Sequence, residues 1–203
     1  MAHDEFLALL IFAGIGSVTP GPNNAVATVT AATFGLRAAL PHVVGVPLGF
    51  STMLFAAAAG AASLVADVPA LATALHWSGI AYMAWLAFAL ARDRGGGSDT
   101  AGPFALPLGV VQSAAFQFLN PKAWMLALAI AGTWIVGADT WRRAATAGLV
   151  FTLTAVLSLL AWAGAGAALR RWLASPRRLR AFNLAMALAL ALTAGWLAWR
   201  GER

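Results

Sequence analysis

The amino-acid sequence predicts an all-α integral membrane protein with about six transmembrane helices, arranged as two inverted repeats of three helices. Composition is the first observation: 61% of the 203 residues are apolar and 10% are charged, whereas soluble domains are nearer ~45–50% apolar and ~25% charged. The second observation is that the apolar residues form six long segments separated by five short stretches, four of which contain arginine. The third is that prolines interrupt the first and the fourth of these segments.

Each apolar segment is long enough to cross a hydrocarbon core, which takes about 20 helical residues. The segments cover residues 6–34, 40–66, 70–91, 104–136, 144–169 and 181–199. Between the third and fourth lies a polar stretch that contains Gly95-Gly96-Gly97-Ser98 and is predicted to be a flexible linker. We therefore interpret residues 1–203 as one transmembrane domain, with repeat one at about 1–91, the linker at about 92–103 and repeat two at about 104–203.

The positions of the basic residues predict the orientation. If the N-terminus is outside, the inner loops carry Arg37, Arg92, Arg94, Arg170, Arg171, Arg177, Arg178 and Arg180, and the outer loops and tail carry Arg142, Arg143, Arg200 and Arg203. The positive-inside rule then favours six spans with both termini outside. Because Asp4 and Glu5 stand where a secretory signal carries basic residues, the first segment is expected to remain in the mature protein.

The proline breaks occupy corresponding places in the two halves of the chain. Pro22 and Pro121 lie 99 residues apart, and three spans per half give the halves opposite orientations in the membrane. Transporters with such repeats place their substrate site where the broken helices meet, near the bilayer midplane. The alternative is that these prolines only kink lipid-facing helices.

The residues at each break predict a particular chemistry. Pro20 should end one half-helix and Pro22 should begin the next, while Asn120 caps a helix that starts at Pro121. A helix N-terminus suits a carboxylate and the carbonyls at a helix C-terminus suit an ammonium group. Two facing breaks therefore predict a binding site for a zwitterion, and an amino acid is the obvious candidate.

Lys122 is the single lysine and lies in the fourth segment. A charge there costs about 3 kcal/mol on insertion scales, so we predict that Lys122 faces a cavity and binds the substrate carboxylate; the alternative is that it reaches the membrane interface. His42 and His76 are the titratable candidates for proton transfer, although the sequence favours helix-end positions for both. Gly45 and Gly49 predict close packing of the second span.

Other functional classes fit less well. The arginines punctuate apolar runs, so no nucleic-acid partner is expected. The chain has no cysteine and few histidines, which disfavours a metal exporter, a redox conduit or a bound metal. An intramembrane serine hydrolase would need Ser51 or Ser63 beside His42 or His76, without a recognisable nucleophile motif. A membrane protein that regulates a partner and transports nothing remains a further alternative.

A set of motifs along the chain carries a family resemblance: Thr19-Pro20-Gly21-Pro22-Asn23-Asn24, Gly35-Leu36-Arg37, Gly45, Gly49, Gly79-Ile80-Ala81-Tyr82 and Phe116-Gln117-Phe118-Leu119-Asn120-Pro121-Lys122-Ala123. These motifs resemble those of the lysine exporter (LysE/RhtB-type) superfamily of amino-acid efflux proteins, over essentially the whole chain. Residues 22–24 and 116–118 look most like its cysteine/O-acetylserine exporter branch. The resemblance implies efflux from the cytoplasm through the bacterial inner membrane, driven by the proton motive force, with no enzyme activity and no tightly bound cofactor.

Together these observations predict a secondary active exporter of a small amino acid or derivative, with protons as coupling ion, lipid as its surroundings and a homo-oligomer compatible with the sequence. In this interpretation the breaks and Lys122 bind the carboxylate, and three asparagines with free carbonyls bind the ammonium. The predicted substrate-binding residues are Thr19, Pro20, Gly21, Pro22, Asn23, Asn24, Gln117, Asn120, Pro121 and Lys122.

Overall fold

A computed structural model describes residues 1–61, 67–92, 107–135 and 139–201, and within these ranges the chain is helical with short connections. We number the α-helices in chain order: α1 His3–Val18, α2 Pro22–Phe34, α3 Leu36–Ala56, α4 Pro69–Arg92, α5 Val110–Phe116, α6 Pro121–Trp134, α7 Thr140–Leu169 and α8 Pro176–Gly201. A π-helical turn at Ala57–Ala61 extends α3, and 3₁₀ turns lie at Gln117–Leu119 and Trp172–Ala174. The predicted linker falls almost wholly outside the described residues.

Within the described residues, four helices are long and apolar enough to cross a membrane by themselves: α3 with its π turn, α4, α7 and α8. Helices α1 and α2 form a fifth candidate span that is bent by 50°. The fourth predicted segment instead becomes α5 and α6, which are 7 and 14 residues long. The prediction of an all-helical protein with several membrane spans is therefore confirmed, with four or five candidate spans in the described residues.

Both predicted breaks are confirmed as helix ends. Helix α1 ends at Val18, and Thr19 leaves the helical region with ψ 135°. Gly21 is extended and precedes Pro22 at the start of α2. At the second break Asn120 is extended and its side-chain oxygen accepts a hydrogen bond from the Lys122 backbone N–H. Proline without an N–H fits the first helical position, where that donor has no partner anyway.

Helix α7 is the centre of the bundle, with α1, α2 and α3 packed around it. Phe50 of α3 and Phe151 of α7 stack with ring centroids 3.7 Å apart in the main apolar core. Helix α5 packs on α3, and α4 pairs with α8. This arrangement encloses the bend between α1 and α2 and brings the second break beside it.

Glycines make the closest helix contacts. A Cβ at Gly49 would lie 2.8 Å from the Ala114 Cα of α5, and one at Gly45 would lie 2.6 Å from the Ser113 Cβ. A Cβ at Gly79 of α4 would lie 2.6 Å from the Pro121 side chain at the second break. The packing prediction for Gly45 and Gly49 is therefore confirmed.

The outer faces of the helices are apolar, as lipid contact requires. Leu149, Leu153 and Leu157 of α7 follow one another at a spacing of four residues and are more than half exposed. The tryptophans near predicted span ends are also exposed, as expected for rings at a membrane interface: Trp77, Trp141, Trp172, Trp196 and Trp199.

Candidate functional site

A small cavity lies where the two breaks meet. Seven of the ten predicted site residues line it: Gly21, Pro22, Asn23, Asn24, Gln117, Asn120 and Lys122. The remaining three lie close by: Thr19 is bonded to Lys122, Pro20 is exposed, and Pro121 packs against Gly79. The cavity volume is about 30 Å³, which is room for about two water molecules. The space between the two breaks is therefore too small for an amino acid.

Lys122 connects the two breaks directly. Its Nζ donates to the Thr19 carbonyl oxygen at 2.6 Å and to the Thr19 Oγ1 at 3.0 Å, across 103 residues of sequence. The Thr19 hydroxyl in turn donates to the Ile15 carbonyl at 2.7 Å. The ammonium group of Lys122 thus occupies the C-terminal end of α1, where the sequence predicts the ammonium group of a substrate.

The last carbonyls of α1 are all engaged by side chains. Asn24 Nδ2 donates to the carbonyls of Ser17 and Thr19, at 3.0 and 2.9 Å. Ser158 Oγ also donates to the Ser17 carbonyl, and Trp162 Nε1 donates to that of Val18. The expected free carbonyls are therefore not a feature of this closed conformation, because neighbouring helices supply the donors that an unwound end needs.

The start of α2 is the site's best place for an anion. Gly21 has no side chain to cap α2, whereas Asn120 caps α6 with its own oxygen. Lys122 lies against this uncapped end, since a Cβ at Gly21 would be 3.3 Å from the Lys122 Nζ. Free N–H groups, the helix dipole and a lysine ammonium thus converge on the first break.

A pair of amides joins α2 to the turn before the second break. Asn23 Nδ2 donates to Gln117 Oε1 at 2.9 Å, and Gln117 Nε2 donates back to Asn23 Oδ1 at 3.1 Å. Gln117 also donates to the Ser113 carbonyl, and it is fully buried. The pair forms one wall of the cavity and connects the two halves of the chain.

This amide pair can be tested by a double-mutant cycle on unfolding in detergent. Because hydrogen bonds between membrane helices contribute about 0.6 to 1.7 kcal/mol in such cycles, we expect Asn23→Ala and Gln117→Ala to show a coupling of about 1 kcal/mol. Asn23→Ala combined with Thr193→Ala on α8 is the control, and these should be additive within about 0.5 kcal/mol. Strict additivity of Asn23→Ala and Gln117→Ala would show that the two amides do not support each other.

The sequence analysis misjudged the positions of two histidines: His76 lies inside α4, and His42 lies deep within the bundle. His42 is expected at a helix end, yet it lies inside α3, 1% exposed, with Nδ1 3.0 Å from Ser113 Oγ and Nε2 3.2 Å from the Asn23 carbonyl oxygen. The spacing of His42, Gly45 and Gly49 places all three on one helix face. Because the two glycines predict close helix packing, this spacing could have predicted that His42 is buried in the same contact.

The structure also bears on the hydrolase alternative. The serine beside His42 is Ser113, not Ser51, and Ser63 falls outside the described residues. Ser113 is fully buried and does not line the cavity, so it has no access to a substrate. Within the described part of the chain, no group of three or more His, Cys, Asp or Glu side chains is placed to hold a metal ion.

A known protein family matches most of the chain. A model of the LysE type translocator family matches residues 14–201. The chain belongs to this family. This LysE type translocator therefore has both breaks and Lys122 inside the matched region, and the family resemblance seen in the sequence is confirmed. With its apolar helices and bacterial relatives, it is a multi-pass protein of the inner membrane.

Several relatives carry the same description, cysteine/O-acetylserine efflux protein. The translocator is 30% identical to the protein of Klebsiella pneumoniae over 162 residues, which cover 78% of this chain and 80% of the relative. It is 33% identical to the Salmonella typhimurium protein and 32% identical to the Escherichia coli K12 protein, each over 122 residues that span 60% of this chain and 61% of the relative. No solved structure matches the chain.

Proposed function

We propose that this translocator is a secondary active exporter of a small amino acid or amino-acid derivative, and that its substrate binds between the two helix breaks. The observation that carries the proposal is the Lys122 ammonium, which bridges Thr19 at one break and lies beside the uncapped start of α2. A lysine charge at membrane depth costs free energy, and a substrate carboxylate bound beside it would offset that cost.

The substrate carboxylate binds at the start of α2 and draws the Lys122 ammonium toward itself. The Thr19 carbonyl that Lys122 leaves then accepts the substrate ammonium, so one cation replaces another. Asn23, Asn24 and Asn120 line the cavity around this exchange and supply further polar groups. Each charged group of the zwitterion gains a partner while no protein group is left unpaired, as transfer of a charged solute into a membrane interior requires.

The substrate is small and neutral in this proposal. The cavity must expand from about 30 Å³ to admit even a three-carbon amino acid, and apolar side chains of Val46, Phe50 and Leu159 also line it. These walls favour a short side chain without charge. Relatives described as cysteine/O-acetylserine efflux proteins point to the same class.

The proposal includes alternating access by two inverted repeats of three helices, with both termini outside and protons as the coupling ion. The first repeat contains α1 to α4 and the second contains α5 to α8. In each repeat a broken helix comes first, and residues at its break line the cavity. Rocking of one repeat against the other around a fixed site would expose the cavity to each side in turn.

Transport by purified protein in liposomes tests this proposal. Vesicles would be loaded with labelled cysteine kept reduced, serine, O-acetylserine or lysine, and exchange against the same unlabelled compound outside would be followed. We expect rapid exchange of one or more of the small neutral compounds and slow exchange of lysine, compared with protein-free liposomes. Exchange of none of the four by folded protein would contradict the proposed substrate class, and preferential exchange of lysine would contradict the proposed size and charge selection.

A further inference from the structure

His42 joins three helices behind the cavity wall. It lies on α3, its Nδ1 is 3.0 Å from Ser113 Oγ of α5, and its Nε2 is 3.2 Å from the Asn23 carbonyl of α2. The Phe116 ring packs edge-on against the imidazole with centroids 6.1 Å apart. The side chain is 1% exposed. The imidazole is thus buried with a polar partner at each ring nitrogen.

The partners determine which nitrogen carries the hydrogen. A carbonyl oxygen only accepts hydrogen bonds, so Nε2 must donate to Asn23. In a neutral imidazole the other nitrogen is an acceptor, and Ser113 Oγ–H therefore donates to Nδ1. A neutral histidine therefore has a hydrogen-bond partner for each of its ring nitrogens in this conformation.

We propose that His42 is the group that takes up and releases the coupling proton of this exporter, and that it does so only when α2 and α5 separate. This inference rests on the proposed export function and deepens it. An exporter that builds a gradient needs a group whose charge changes during the cycle. His42 is a titratable side chain that contacts Asn23 of the cavity wall and joins α2 to α5 through Ser113.

The ionisable groups around His42 leave the imidazolium without a counter-charge. Helices α2 and α5 carry no ionisable residue. On α3 and α7 the charged residues are Arg37, Arg142 and Arg143, all in the first turn of their helix. Tyr82 of α4 contacts the Phe116 ring, with centroids 5.5 Å apart, and Lys122 of α6 lines the cavity together with Gln117. No carboxylate on these helices faces His42 in the described structure.

Protonation would therefore oppose closure. An imidazolium donates from both nitrogens, so Ser113 would have to turn its hydroxyl hydrogen away and accept instead. A buried charge without an opposite charge is costly in any low-dielectric interior, and separating α2 from α5 would admit water to solvate it. Because Asn23 contacts both His42 and Gln117, the same movement would open the amide pair at the cavity.

The same geometry disfavours simultaneous binding of the proton at His42 and the substrate in the cavity. A substrate ammonium at the cavity and an imidazolium behind Asn23 are like charges in one low-dielectric region, so binding of one disfavours the other. Coupling requires that the protein change sides with substrate bound, or with His42 protonated and α2 and α5 apart, and that it not change sides with neither. Exclusive occupancy of this kind produces exchange of a substrate for a proton.

His42→Gln provides the test, because glutamine keeps one donor and one acceptor but does not titrate in this range. Liposomes with wild-type protein would be given an imposed pH difference, and the steady-state concentration ratio of labelled cysteine, kept reduced, would be measured. For one proton per substrate we expect the wild-type ratio to change by about tenfold per pH unit. His42→Gln should give a ratio near one at every pH difference while still exchanging cysteine for cysteine.

Two matched variants complete the experiment. Ser113→Ala removes the hydrogen-bond partner and leaves the imidazole, and His76→Gln removes a histidine of α4 elsewhere in the bundle; both should keep the pH-driven gradient. A His42→Gln protein that builds the wild-type gradient would overturn the inference. Loss of cysteine exchange by that variant would overturn it too, because it would show that His42 has a structural role. Wild-type exchange without any response to pH would overturn the inference alone, whereas absence of wild-type exchange for every compound would overturn the proposed function.

Discussion

We expect Lys122→Gln to reduce cysteine or serine transport by at least about 30-fold, while the protein remains folded and at wild-type abundance in the membrane. Removing one partner from a buried charged hydrogen-bonded pair costs about 2–5 kcal/mol, which corresponds to roughly 30- to 4,000-fold. Lys122 supplies the cation beside the uncapped start of α2, and glutamine has similar length but no charge to offer a carboxylate.

Two variants separate the charge of Lys122 from its contact with Thr19. Lys122→Arg keeps a cation with a bulkier head, and we expect partial activity from it. Thr19→Val removes the hydroxyl that accepts at 3.0 Å but keeps the carbonyl that accepts at 2.6 Å. The ammonium of Lys122 keeps its shorter contact, so transport should fall by no more than about fivefold, or ~1 kcal/mol. Initial rates of exchange in liposomes over a range of substrate concentrations measure all three.

Two transport results would contradict the roles expected for Lys122 and Thr19. If Lys122→Gln transports at the wild-type rate with unchanged substrate affinity, the carboxylate does not depend on this lysine, and the contact to Thr19 is a structural capping interaction. If Thr19→Val is as inactive as Lys122→Gln, the bridge between the breaks matters more than the charge at α2.

The breaks themselves could be predicted from sequence because the chemistry of proline is local. Pro22 and Pro121 lack the backbone donor and stand where the first turn of a helix tolerates that loss. Asn120 could likewise be recognised as a cap, since its side chain bonds to a backbone group two residues away. Composition and segment length were enough for the all-helical membrane class because lipid imposes both requirements on every span.

The contacts that satisfy the breaks could not be predicted, because they come from distant parts of the chain. Ser158 and Trp162 of α7 reach the last turn of α1 across more than 140 residues, at separations of 141 and 144. Lys122 was correctly expected at the cavity, but its bond to Thr19 depends on how α6 is placed against α1. His42 was misjudged for a similar reason: its partners on α2 and α5 become neighbours only in the folded bundle.

The contact between α7 and α2 gives the second large expected effect. We expect Gly166→Ala to destabilise the protein by about 1–3 kcal/mol, the usual range for overpacking a tight contact. A Cβ at Gly166 would collide with the Thr28 carbonyl oxygen and would lie 3.1 Å from the Thr28 Cα. These are backbone atoms of a buried helix, so the strain cannot be relieved by turning a side chain.

Gly164→Ala is the matched control, because it makes the same substitution on the same helix two residues away. A Cβ at Gly164 meets no atom within 4 Å, so alanine should be neutral or stabilise α7 by up to about 1 kcal/mol through helix propensity. Unfolding in detergent, followed by tryptophan fluorescence, would measure both variants. Equal stabilities would show that α7 and α2 are not in backbone contact at Thr28.

The same pair of variants reports on function, since α2 carries the amide wall and the proposed carboxylate site at its N-terminus. If α7 is displaced from α2 at Thr28, Asn24 is the first group affected, because the Thr28 hydroxyl donates to the Asn24 carbonyl at 2.7 Å. We therefore expect Gly166→Ala to lower transport as well as stability, while Gly164→Ala keeps both. A destabilised Gly166→Ala protein with wild-type exchange rates would mean that the substrate site tolerates movement of α2, and that the wall at Asn23 and Gln117 is held from the α5 side.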